Sequence, residues 1–513
     1  MRAGKYKIAY IAPERLGGDG FTSIARDLKI SLVAVDEAHC ISQWGQDFRP
    51  SYLKIVDFLE KLPKRPVLAA FTATATHQVR EDIERILKLR DPLSLITGFD
   101  RPNLSFEVLK PKSKPNMLRA LLDSRRKKSG IIYCATRAMV ERVCEDLRAA
   151  GFPATQYHAG LDDEERRRSQ EDFIHDRSAV MVATNAFGMG IDKSNVSYVI
   201  HYNMPKSLEA YYQEAGRAGR DGEKADCILL YSAGDISTAK FLIQNSGENE
   251  DLSDEERRLV MLQDYQRLEV MIDYCKSAEC LRGRILDYFG QSHGEHCGNC
   301  SNCLAEYHTQ DITSEAQMIL SCVKRAWDKL GFSVGATLII RTLCGSAEKR
   351  VLALGLDKLT TYGLMKSTNR TQIKDYMEHL EFVGYLRTDP VHGGVELTAK
   401  SRNVLFGGEQ VLMPVKKAPV EEKPQVRKPD VSPAGDESGL FEALRSLRYK
   451  LAQEEGVPAY IVFSNASLAD MARKAPRTMT EFLNVSGVGE VKATRYGKAF
   501  LEAIAGFVES QNL

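Results

Sequence analysis

No stretch of the 513 residues approaches the roughly 18 consecutive apolar side chains that a helix needs to span a bilayer, which argues against a membrane protein. A secretory leader is not expected either: Arg2, Lys5 and Lys7 precede only a short apolar stretch without a cleavage-site pattern, so a cytoplasmic protein is expected, in a bacterial cytoplasm or nucleoid. There is no excess of either charge. Seventy Lys and Arg against 69 Asp and Glu leave a net charge of +1, which neither demands nor excludes a polyanionic partner, because local patches outweigh totals. A disulfide framework is not indicated either, since the eleven cysteines are odd in number and four of them fall between Cys280 and Cys303, a pattern that favours reduced thiols around a metal. What is present, 43% hydrophobic and 27% charged residues, is the composition of a soluble globular chain, long enough for roughly three to five domains.

From Lys7 to about Leu230, short apolar runs (Leu32-Val33-Ala34-Val35, Ile131-Ile132-Tyr133-Cys134, Ala179-Val180-Met181-Val182, Tyr198-Val199-Ile200) alternate with charged amphipathic stretches. That rhythm predicts an α/β architecture of parallel strands and crossover helices. Lys110 to Pro115, with Lys112 and Lys114 between prolines, reads as a linker dividing the region into 1–110 and 111–250. A long helical pattern then leads into a Cys-rich segment, 251–310. A mixed segment, 311–408, ends in Tyr385-Leu386-Arg387 and Val395-Glu396-Leu397 around His392-Gly393-Gly394, the pattern of a hairpin. Five prolines among charged residues mark a flexible tether at 409–436, and 437–513 is a small helical bundle. In it, Leu440, Leu444, Leu447 and Leu451 share a face, Thr478 and Glu481 fit a capping box, and Leu483 to Gly489 forms a turn.

Asp36-Glu37-Ala38-His39 lies at the end of the strand Leu32 to Val35, where open α/β sheets place their ligands. One carboxylate there can hold Mg²⁺ while its neighbour polarises an attacking water; the alternative is an exposed acidic loop. Gln213-Glu214-Ala215-Gly216-Arg217-Ala218-Gly219-Arg220 sets two arginines three apart, which predicts a shared helical face aimed at a phosphoryl group or, alternatively, a basic helix end. Ala183-Thr184 and Gly188-Met189-Gly190-Ile191-Asp192 follow a buried strand, with glycines that let the backbone approach a phosphate. Cys280, Cys297, Cys300 and Cys303 suit tetrahedral Zn²⁺ with no open position, hence a structural metal; Cys275, His293 and His296 compete for the site.

Taken in order, with Pro13-Glu14-Arg15, Thr72-Ala73-Thr74 and Tyr157-His158-Ala159-Gly160 at matching places, these segments resemble helicases built on two RecA-like lobes. The closer resemblance is to RecQ helicases. It rests on Cys40 to Pro50 after the acidic motif, on Phe99-Asp100-Arg101-Pro102-Asn103 and on the cysteine array, where Cys280-Leu281-Arg282 leads into Leu286 to Gly290. It covers nearly the whole chain. The resemblance implies two RecA-like lobes, a helical zinc-binding subdomain, a winged helix with the hairpin as its wing, and a C-terminal HRDC bundle. It implies ATP-dependent 3′-to-5′ unwinding of DNA in replication, recombination and repair, on single-stranded and duplex-junction DNA. Asp36, Glu37, His39, Gln213, Arg217 and Arg220 would be catalytic, with Gly190 and Asp192 joining the Mg²⁺–ATP site. Gln43, Trp44, Phe48 and Arg49 would form an aromatic loop coupling single-stranded DNA to hydrolysis. Aromatic faces and guanidinium groups stack on bases without choosing sequence, although Trp44 alone also fits a half-buried core position.

One departure matters. Nothing in the 513 residues matches G-x-x-x-x-G-K-[ST], the backbone cradle and lysine that place the β- and γ-phosphates. The expectation is therefore a helicase that starts inside its first lobe, with an exposed sheet edge there. The rival expectation is a chain that holds DNA through its zinc, winged-helix and HRDC parts without hydrolysing ATP.

Overall fold

The computed structural model describes residues 6–17, 19–45, 47–126, 128–188, 193–245, 253–389, 393–416 and 435–511. In the first lobe, β1 (Leu32–Val35) pairs in parallel with β2 (Val67–Ala70). Helices Lys54–Glu60 and His77–Ile86, the latter capped by Thr76, cover one side with Ile55, Phe58, Val79 and Ile83. Leu32, Val67 and Phe71 are exposed.

The second lobe is a six-stranded parallel sheet of β3 (Leu104–Leu109), β4 (Gly130–Tyr133), β5 (Ala154–Tyr157), β6 (Val180–Ala183), β7 (Tyr198–His201) and β8 (Ala225–Leu230). Their spatial order is β3-β8-β7-β4-β6-β5. The central strands β4, β6 and β7 are buried throughout, as unbroken apolar runs in a parallel sheet should be.

This topology corrects the expected linker at Lys110 to Pro115. β3 already belongs to the second sheet, hydrogen-bonded along β8, so the chain crosses between lobes after Ile86 and before Leu104. The lysine-proline segment is pinned: Lys114 opens the helix Lys114–Asp123, and its ammonium donates to the Asp235 carboxylate at 2.7 Å and to the Tyr202 carbonyl at 2.7 Å.

The helix Asp254–Lys276 starts at a Ser253/Glu256 capping box, and Leu281–Tyr288 follows. Leu268, Met271, Leu281 and Ile285 share one apolar core with Phe106, Tyr211 and Leu229, so this cysteine-bearing segment is built onto the second lobe.

Residues 305–423 form a separate compact unit around Ile319, Leu343, Ile373 and Leu380. In it β9 (Tyr307–Asp311) pairs antiparallel with β12 (Leu412–Lys416), and β10 (Leu386–Thr388) with β11 (Val395–Leu397). The hairpin strands fall where they were expected; the tip with His392 lies outside the described residues. The expected boundary at 408 is corrected, because 412–416 form a strand of this unit.

The C-terminal bundle consists of helices Gly435–Glu455, Ala459–Val462, Asn465–Lys474, Met479–Leu483 and Glu490–Gln511. Leu440 and Leu444 are buried, with Leu447 and Leu451 at the margin of the same core. Thr478 caps as expected, but the Glu481 carboxylate returns to the Arg477 N–H at 2.8 Å rather than to that of Thr478. No helix among the described residues is long and apolar enough to cross a membrane.

Candidate nucleotide and nucleic-acid site

β1 delivers Asp36 and Glu37 to its C-terminal end, where Phe71 N–H donates to Val35 O at 2.8 Å and Ala38 N–H to Phe71 O at 2.9 Å. Glu37 has φ 47° and ψ 44°, a left-handed conformation that an L side chain seldom adopts and that costs energy unless its surroundings hold it. The Asp36 carboxylate accepts from the Glu37 N–H at 2.9 Å. Burial and then the negative charge of Asp36 push the Glu37 carboxyl above its ordinary value, partly opposed by Arg217 on the other lobe. His39 is buried, with Nδ1 2.9 Å from Thr72 Oγ1 and 3.3 Å from the Glu37 carboxylate. Burial lowers its pKa, so the imidazole is neutral near pH 7 and ties the acidic turn to the segment after β2.

The two arginines do not share a helical face. The helix ends at Ala215, and Arg217 and Arg220 lie in the turns after it, Arg217 buried and Arg220 exposed. Gly219, at φ 58°, takes the chain out of helical conformation between them. The Arg217 guanidinium donates to the Gly188 carbonyl. Gln213 sits half-buried on the helix Leu208–Ala215; Gly190 and Asp192 lie outside the described residues.

Two residues that hold this turn had no role from sequence. Arg101 donates to the carbonyls of Ala218 at 3.1 Å and Gly219 at 3.0 Å, and Asn103 to those of Gly219 and Glu223, both at 2.9 Å. The matching pentad Phe99 to Asn103 was the available signal, but only the fold reveals its partners.

The segment carrying Gln43, Trp44, Phe48 and Arg49 folds back on the acidic turn. Ser42 Oγ donates to the buried Asp82 carboxylate at 2.6 Å and accepts from the Trp44 N–H at 3.1 Å. Gly45 lies so close that a Cβ there would be 2.3 Å from the His39 carbonyl. Trp44 is 47% exposed and is not a core residue. Gln43 and Phe48 are half-buried, and the Arg49 guanidinium grips Asp47 through two nitrogens at 3.0 and 2.6 Å.

The sulfurs of Cys280, Cys297, Cys300 and Cys303 all lie within 4.8 Å of one another. Backbone N–H groups of Gly283, Asn299 and Cys303 donate to Cys280, Cys297 and Cys300 Sγ at 3.3, 3.4 and 3.4 Å, which stabilises negative charge on the sulfurs. Burial raises the Cys300 thiol, but the Cys303 and Leu281 N–H groups and neighbouring thiols outweigh it and bring Cys300 down to about 7. The donor set fits tetrahedral Zn²⁺. Of the competitors, Cys275 is in the apolar core and His293 pairs with Asp287 at 3.0 Å, while His296 reaches Cys303 Sγ only at 3.9 Å.

An acidic strand end within electrostatic reach of Arg217 on the second lobe, with an exposed aromatic beside it, is the arrangement of a two-lobed motor of the helicase class. Comparison with known families agrees. The chain matches "DEAD/DEAH box helicase" over residues 2–83, "Helicase conserved C-terminal domain" over 113–222, "RecQ zinc-binding" over 233–304, "RQC domain" over 306–422 and "HRDC domain" over 437–504. It is 41% identical over 508 residues to the ATP-dependent DNA helicase RecQ of Bacillus subtilis, covering 99% of this chain and 82% of that one. The proteins of the same name in Pasteurella multocida and Haemophilus influenzae are each 34% identical, covering 98% of this chain and 78% and 79% of theirs. The chain belongs to the RecQ helicase family.

Proposed function

We propose that this protein is an ATP-dependent DNA helicase that unwinds duplex DNA in the 3′-to-5′ direction, in the bacterial cytoplasm or nucleoid, during replication, recombination and repair. The observation that carries the reading is the short path from Trp44 through Ser42 and Gly45 to His39 and Glu37, which lets a base stacked on the indole bear on the hydrolytic carboxylate. Asp36 would hold Mg²⁺ with ATP, and the metal would offset charge between the phosphates. Glu37 orients and polarises the attacking water, and neutral His39 fixes the carboxylate that does so. Arg217 and Arg220 approach the γ-phosphoryl group from the second lobe, and Arg101 and Asn103 set their turn. Gln43, Trp44, Phe48 and Arg49 contact single-stranded DNA. The four cysteines hold structural Zn²⁺, while the winged-helix hairpin and the HRDC bundle add contacts at the duplex junction and the single strand.

A second reading, a chain that holds DNA without hydrolysing ATP, is favoured by one observation: no G-x-x-x-x-G-K-[ST] occurs in the 513 residues. One experiment separates the two. ATP hydrolysis by the 513-residue chain is measured with and without single-stranded DNA, and DNA-stimulated hydrolysis that falls about 100-fold or more in Glu37→Gln, the usual cost of losing a general base, would establish the first reading for this chain. DNA binding without stimulated hydrolysis would establish the second reading.

A further inference from the structure

The helix Asp254–Lys276 is fixed to the second lobe by Leu268 and Met271, yet one of its side chains reaches the first lobe. Arg267 is largely buried and uses both arms: Nη2 donates to the Asp264 carboxylate at 2.7 Å, and Nη1 donates to the Trp44 carbonyl at 3.1 Å. The bond takes the backbone of Trp44 and leaves its indole exposed. A guanidinium does this better than an ammonium, because Asp264 orients the fork so that the second arm is aimed before it bonds. The neighbouring helix Leu281–Tyr288 carries Tyr288, whose hydroxyl bonds Glu209 at the start of the helix leading to Arg217. The charge of Arg267 also bears on that hydroxyl.

We propose that Arg267 is a positioning residue for the DNA-contacting loop, pinning Trp44 through its carbonyl so that the indole is pre-set for a single-stranded base and its movement is felt by the second lobe. This rests on the proposed role of Trp44 in DNA binding. Pre-setting matters because a loop that must be ordered on binding loses affinity in proportion to the freedom it gives up.

The chain has two tryptophans, so Trp327→Phe leaves Trp44 as the only indole reporter. In that full-length background, acrylamide quenching of Trp44 without DNA reads the freedom of the loop, and titration with oligothymidylate reads affinity. Arg267→Ala is expected to raise the quenching constant about twofold and to weaken oligothymidylate binding about tenfold or more, the worth of one charged-donor hydrogen bond. Arg267→Lys should recover only part of both.

Unchanged quenching in Arg267→Ala would overturn the proposal, whether or not melting falls. So would raised quenching with unchanged affinity, or full recovery by lysine, which would mean that charge alone suffices. Failure of the underlying reading shows separately: if Trp44 emission in the Trp327→Phe chain ignores oligothymidylate, Trp44 is not a DNA contact and the positioning role falls with it, whatever the quenching shows.

Discussion

Glu37 combines a left-handed backbone with a carboxyl pressed against Asp36 and partly shut off from water, and both features oppose the folded state. Its folded pKa is raised above the ordinary 4.5, so the fold binds the proton more tightly than the unfolded chain does. Stability from this group is present below 4.5 and is lost as pH rises through the folded value. Near pH 7.5 Glu37 is therefore a destabilising residue retained for chemistry, and Glu37→Gln should raise the melting temperature of the first lobe while it removes hydrolysis. A melting temperature at or below that of the parent would contradict this assignment of the carboxyl's energy. His39 has the opposite sign. Its folded pKa lies below 6.5, so its contribution is complete above 6.5 and is lost as pH falls through that window. Melting followed from pH 7.5 down to 5.5 should show a decline that His39→Gln flattens. The carboxylates and the histidine were legible in sequence because they directly follow an apolar run; the left-handed turn and the bond to Thr72 depend on pairing between β1 and β2, which no local pattern encodes.

The element that sequence misread most is the arginine turn. Spacing alone placed Arg217 and Arg220 on one helical face, but Gly219 adopts a positive φ and Arg101 and Asn103 take the carbonyls of the turn, so backbone groups that would continue a helix are bonded elsewhere. A Cβ at Gly219 would lie 2.5 Å from Asn103 Nδ2 and 2.8 Å from the Glu223 carbonyl. Gly219→Ala should therefore cost about 1–3 kcal/mol through strain and displaced hydrogen bonds, read by denaturant unfolding, and should lower DNA-stimulated hydrolysis by moving both arginines. An Ala variant as stable as the parent would mean that the turn relaxes freely and that Asn103 does not position it. The linker was misread for a related reason: a lysine between prolines resembles a solvated tether unless its buried partner, here Asp235, is known.

At the scale of the molecule, sequence separated the parts well where composition changes and poorly where cores merge. Cys280 and Cys300 lie in the same apolar cluster as Phe106, Tyr211 and Leu281, and Ser301 N–H donates to the Phe106 carbonyl at 2.9 Å along β3, the edge strand of the second lobe. The metal segment thus covers an edge that would otherwise present unpaired backbone groups. Residues 305–423 have their own core, as does the C-terminal bundle. Metal removal should then act on one part only. Ligand binding stabilises the state that binds it, and here that state is the second lobe with its cysteine segment. Calorimetry of the chain should resolve more than one transition, and a zinc chelator should lower the transition of the second lobe and promote aggregation through β3, leaving the transition of 305–423 in place. Cys300→Ser should reproduce this without chelator. If all transitions fell together on chelation, the units would be thermodynamically coupled, and the metal would support the whole chain rather than the lobe whose edge it closes.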